Sequence, residues 1–166
     1  MPLTEKDPGA LNRLRMRVRA LGSPVARAEL HQVLAAGATT ELQNGFVNSV
    51  DPYGKEWEAL KSRDGQPLRK NGHMAASAHT NQKPDGFSIT LDQGHPKTHQ
   101  DGKTIYPVSA AALSFFVRGK RVFAKVVTIP QRMMFPVARR GLGNWGPTLK
   151  RDASNFLRRL LTGRQS

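Results

Sequence analysis

The hydrophobic positions of the chain fall first at helical spacing and later alternate. Leu11, Leu14, Val18 and Leu21 recur one helical turn apart, which predicts a helix over residues 10–21 with arginines on the remaining faces. Gly22-Ser23-Pro24 then punctuates the chain. Gly22 can stop the first helix, Ser23 can accept hydrogen bonds as an N-cap, and Pro24 suits a first helical turn. A second helix is predicted over 24–48, with Leu30, Val33, Leu34, Leu42 and Phe46 as its apolar stripe and Gly37 and Gly45 as weak points. Asp51-Pro52-Tyr53-Gly54 reads as a turn, and Asp64-Gly65 as another. Residues 71–79 are read as a short helix and 81–86 as a loop. After Gly86 the period becomes two: Phe87, Ile89 and Leu91 alternate with Ser88, Thr90 and Asp92, a half-buried strand. Residues 93–103 read as polar loop. Leu113–Val117 and Val122–Ile129 read as strands joined by a hairpin at Arg118-Gly119-Lys120. A loop follows over 130–136, then a glycine-rich connector over 141–147, and a last helix over 148–162 with Leu149, Phe156, Leu157, Leu160 and Leu161 inward. This order predicts an α+β fold: N-terminal helices, a small antiparallel sheet with an extended hairpin, and a C-terminal helix packed on the sheet. Residues 1–22 are read as a basic arm or short helix, the first nine of them disordered, and 23–166 as one domain.

Composition narrows the function. With 166 residues and 38% hydrophobic positions the chain fits a single domain with a modest core. No apolar run approaches the ~20 residues of a membrane-spanning helix, and Met1–Asp7 lacks the apolar segment of a secretory signal. Cysteine is absent, which removes disulfides and thiolate chemistry. The formal net charge is +14. The two ends carry most of it: +4 over residues 1–28 and +7 over residues 129–166. A charge of this size suits a polyanion or an acidic neighbouring subunit.

Candidate chemistry is sparse. His95 and His99 are four apart, but Pro96 lies between them and the context reads as loop, so no metal site is inferred and the histidines are read as solvated. Gly141-Leu142-Gly143-Asn144-Trp145-Gly146 matches a dinucleotide fingerprint, yet it lacks the preceding strand and the later acidic residue and is read as a flexible connector. Carboxylates are few and scattered. The chain is read as a non-enzyme with no cofactor. The basic stretches lack any base-reading motif, so a nucleic-acid contact would be to phosphates and independent of sequence.

One stretch carries more. Asp51-Pro52-Tyr53-Gly54-Lys55-Glu56-Trp57-Glu58-Ala59-Leu60-Lys61 resembles the Asp-Pro-x-Gly-x-x-Trp-x-x-Leu-Lys signature of bacteriophage virion morphogenesis (tail completion) proteins. Asn71-Gly72-His73-Met74 and His99-Gln100-Asp101-Gly102 are similar to two later segments of that family. Ile129-Pro130-Gln131-Arg132-Met133-Met134-Phe135 is similar to its Ile-Pro-x-Arg-x-Phe run, with Phe135 one place late. Residues 105–125 also look like the hairpin region of head–tail joining minor proteins of long-tailed phages. The likeness covers residues 24–162.

The resemblance implies a structural virion protein of the neck or tail end, a tail terminator or head–tail connector subunit. Such a subunit forms a homo-oligomeric, commonly hexameric ring around the DNA channel and meets other neck, connector and tail-tube proteins. Its expected location is the virion, and the host cytoplasm during assembly, with no membrane partner. The family-motif residues carried over are Asp51, Pro52, Gly54, Trp57, Leu60, Lys61, Pro130, Arg132 and Phe135. Trp57 is expected to anchor the loop after the second helix against the sheet. Arg118, Lys120, Arg121, Arg139 and Arg140 are candidates for the subunit interface or the DNA channel. The alternative is a small basic nucleic-acid-binding module.

Overall fold

The computed structural model describes residues 8–162, so most of the segment expected to be disordered lies outside the described residues. Helix α1 spans Pro8–Leu21 and α2 spans Pro24–Asn48. Ser23 caps α2 as its sequence suggests: its Oγ accepts from the Ala26 amide at 3.1 Å. Both glycines of α2 are absorbed: Gly37 faces a partner helix, and Gly45 lies against the Val50 carbonyl where the chain leaves α2. Helix α5, Trp145–Thr162, crosses α2 at Gly37, where a Cβ would lie 2.6 Å from Asp152 Oδ2 and 3.2 Å from Leu149 Cδ2. Ala35 and Ala38 are buried on the same helix, and Thr148 donates its hydroxyl to Glu41 Oε1. Small residues thus let the two helices approach closely.

The fold is α+β. Strand β1, Ala78–Lys83, pairs antiparallel with β2, Gly86–Leu91. Strand β3, Lys103–Ile105, pairs with β6, Val127–Ile129, and β4, Leu113–Val117, with β5, Lys120–Ala124. No strand is shared, so the expected single small sheet is three separate two-stranded ladders. The β4–β5 loop is Arg118-Gly119, with φ of 48° and 78°. Two successive left-handed residues give the turn a twist that matches its strands.

Further expectations need correction. The C-terminal helix packs along α2, with its end touching α1, rather than on a sheet, because the Gly37 crossing supplies its apolar contact. It also starts earlier, at Trp145. The short helix α3 is only His73–Ala76; β1 begins within the residues read as helix and runs on into those read as loop. β1 is exposed along nearly its whole length, which leaves no alternation to read. Residues read as polar loop contain α4, Pro96–Asp101, which starts on a proline and places His99 in its last turn. The stripe of α1 faces solvent in part: Leu14 is 44% and Val18 54% exposed, since this helix packs mainly on α5 and α2.

The core joins Leu42 and Phe46 of α2 to Trp57, Met74, Leu91, Met134 and Trp145. Two of these, Trp57 and Met134, come from segments outside the helices and strands, so those segments are packed structure rather than connectors.

Candidate functional site

All the motif residues except exposed Gly54 and Lys61 are buried or half-buried, in one seam between residues 51–60 and 130–145. Asp51 is buried and its Oδ1 accepts from the amides of Tyr53 at 2.8 Å and Lys55 at 2.9 Å. This fixes the turn, and Gly54 completes it at φ +82°. The chain then pairs back on the end of α2, with Trp57 N donating to Ser49 O at 2.8 Å. The Trp57 ring meets Phe46 edge-on at 5.8 Å, and its Nε1 donates to Met133 O at 3.0 Å. Trp57 therefore anchors its loop against α2 and the 130–136 segment, not against a sheet as expected.

The glycine-rich segment docks on the same turn. Asn144 N donates to Pro52 O at 2.7 Å, and a Cβ on Gly143, at φ +55°, would strike Pro52 O and the Tyr53 ring. The Tyr53 hydroxyl accepts from Val137 N at 2.8 Å and donates to Gly141 O at 3.1 Å. Arg140 lies over the Tyr53 ring at 3.8 Å. The reading of residues 141–147 as a flexible connector is overturned by these contacts. Phe135 meets Trp145 edge-on at 6.4 Å, continuing the seam.

Arg132 is the most buried charged group of the seam, only 4% exposed. Its Nε and Nη2 both donate to the Glu58 carbonyl, at 3.1 and 2.8 Å, and its amide donates to His99 O at 2.7 Å. Gln100 ties the same segment to α4. Its Oε1 accepts from Met134 N at 2.7 Å and Phe135 N at 3.0 Å, and its Nε2 donates to Phe135 O at 2.9 Å. Pro130 sits between Ile129 of β6 and these contacts, half-buried. Leu60 is half-buried beside Arg132, whereas Lys61 is exposed and pairs with Glu58 at 2.9 Å, which holds the Glu58 carboxyl below its usual range.

His99 is not the solvated loop residue expected. It is half-buried, and its Nδ1 is buried without a hydrogen-bond partner. Burial, then the charges of Arg132 and His95, push its pKa down. Among the described residues no group of three His, Asp or Glu side chains could hold a metal ion, and no helix is long and apolar enough to cross a membrane.

The five candidate basic residues are all exposed and fall in two places. Arg118, Lys120 and Arg121 sit at the end of the β4–β5 hairpin; Arg139 and Arg140 form a 3-10 turn, Ala138–Arg140, beside Tyr53. Arg118 N donates to Ser62 O at 3.0 Å, and its guanidinium lies 3.7 Å from Asp64. The hairpin has two unlike faces. Phe115, Val117 and Val122 turn inward over a groove of about 610 Å³ shared with residues 58–62 and β6. Phe116 and Phe123 turn outward, 68% and 65% exposed, with Arg121 paired opposite Phe116 and its guanidinium 5.6 Å from the Phe123 ring. The outward aromatics were missed in the sequence, although the alternation of β4 and β5 already placed them opposite Phe115 and Val122. A charge feature was missed too: residues 102–151 contain ten Lys and Arg and no Asp or Glu.

Comparison of the chain with protein-family profiles, with curated proteins and with solved structures gives no match.

Proposed function

We propose that this chain is a structural, non-enzymatic subunit of a phage neck or tail end, a tail terminator or head–tail connector component that assembles with copies of itself into a ring around DNA. The observation that carries the reading is the outward face of the hairpin: Phe116 and Phe123 stand in solvent on a two-stranded ladder that no third strand joins among the described residues. Exposed aromatic surface on a free strand edge favours association. The partly exposed stripe of α1, with Leu14 and Val18, offers a second and different apolar surface. Two unlike patches are what a head-to-tail contact requires, and a ring is its closed form.

The acid-free stretch 102–151 supports a polyanion as the other partner. A ring multiplies each basic group by the number of subunits and holds DNA by its phosphates without reading bases. The motif seam supplies the rigid body that carries these surfaces. The same basic stretch favours the second reading, a small nucleic-acid-binding module that works as a monomer.

Negative-stain imaging and native mass measurement of the purified protein, alone and with tail tubes, test the proposal. Rings are expected for the wild-type chain and monomers for Phe116→Ser with Phe123→Ser. A wild-type protein that stays monomeric with tail tubes, and binds duplex DNA tightly in that state, would replace this reading with the second.

A further inference from the structure

A second cavity lies on the other side of Leu60, His99 and Arg132 from the hairpin groove. It measures about 390 Å³. Its polar lining is cationic or neutral: Arg63, Lys70, His73, His99 and Arg132, with Asn71 and Gln93, and no carboxylate. The floor is apolar, from Leu60, Leu68 and Met74.

Two features of this lining are costly in a folded chain. Arg132 is buried, and among the described residues no carboxylate lies within ion-pair distance of it; its two side-chain hydrogen bonds, from Nε and Nη2, both go to one backbone carbonyl. The nearest acid, Glu58, gives its carboxylate to Lys61 on the exposed side. The Glu58 carboxylate therefore compensates Arg132 only through space, and a buried cation so weakly paired favours an added anion. The second feature is His99 Nδ1, buried and unpartnered at the same wall. Lys70 and His73 are exposed in the lining, and their side chains make no hydrogen bond with the described residues. Arg63 is different: it is held by the carbonyls of Asp64 and Gln66 at 3.0 and 3.1 Å. An oxyanion with several acceptor oxygens would meet the guanidinium of Arg132 at the edge not given to Glu58, the Lys70 ammonium and the His73 imidazole at once.

We infer that the cavity bounded by Arg132, His99, Lys70 and His73 is a binding site for a phosphate group, free or esterified. The apolar floor accommodates the substituent of an ester. The site needs one subunit only, so it stands or falls independently of the ring.

The test is calorimetric titration of the full-length protein in chloride buffer with inorganic phosphate, and separately with a short single-stranded oligodeoxynucleotide. Saturable binding of one phosphate per subunit is expected. Lys70→Gln should weaken it about five- to ten-fold, the loss of one charge-assisted contact, with the melting temperature in phosphate-free buffer unchanged. Lys83→Gln, on exposed β1 away from the cavity, should leave it unchanged. Competition between oligonucleotide and phosphate assigns the site to backbone phosphates; its absence assigns it to free phosphate. Lack of saturable binding, or equal weakening by Lys70→Gln and Lys83→Gln, would overturn the site in favour of diffuse charge.

Discussion

The indole of Trp57 closes the seam by donating from Nε1 to the Met133 carbonyl at 3.0 Å, while its ring leans edge-on against Phe46. One side chain thus fastens the end of α2, the turn at Asp51 and the 130–136 segment to each other. Trp57→Ala removes a buried ring and a hydrogen bond together, and is expected to lower unfolding free energy by ~3–5 kcal/mol. Trp57→Phe should lose less, because most of the packing survives. Urea denaturation followed by circular dichroism measures both, and an unchanged midpoint for Trp57→Ala would remove the seam as a source of stability.

The α2–α5 crossing predicts non-additive behaviour. Gly37→Ala places its methyl against Asp152 Oδ2 and is expected to destabilise the protein despite the better helix propensity of alanine. In an Asp152→Ala background the main clash is gone, and the same change should be neutral or stabilising by up to ~1 kcal/mol. A double-mutant cycle by thermal denaturation measures the coupling. Equal effects in both backgrounds would show that the helices part easily at Gly37.

Gln100 makes three hydrogen bonds to the backbone of Met134 and Phe135. Gln100→Leu preserves most of its volume and leaves these groups without partners, so a loss of about 1–3 kcal/mol is expected. Hydrogen exchange should locate the loosening at residues 133–136. Protection kept there in the variant would contradict this role.

His99 makes stability sensitive to acid. Its folded pKa lies below the ordinary 6.5, by burial first and then by the charges of Arg132 and His95. The unfolded chain therefore takes up the proton first as pH falls. The contribution is fully present above pH 6.5 and is lost as the pH drops toward and through the folded value. The melting temperature is expected to fall across that window, and His99→Gln to flatten this part of the profile. An unaltered acid limb in His99→Gln would assign the effect to other groups.

Local chemistry was legible where it is decided locally. Ser23 and Pro24 mark the start of α2, Asp51 to Gly54 mark their turn, and the alternation at Phe87, Ile89 and Leu91 marks β2. What failed depended on distant partners. β1 carries His79-Thr80-Asn81-Gln82-Lys83, polar on both faces, and is a strand only because β2 pairs with it. The glycine-rich segment resembles a connector until Pro52 and Tyr53 press on it. The candidate surfaces divide the same way. The basic residues could be named from composition, whereas the burial of Arg132 and the unpartnered His99 emerge only when α4 folds over the 58–62 segment and β6.

The three ladders share no strand, and this has a bearing on how the molecule can change. In a continuous sheet, lengthening one hairpin or shifting its register propagates to every neighbour. Here β4 and β5 form a module that can grow, bend or lose residues while β1–β2 and β3–β6 keep their alignment. A surface that must keep pace with a changing neighbour gains from such independence: the arm can be re-cut without disturbing the shoulder.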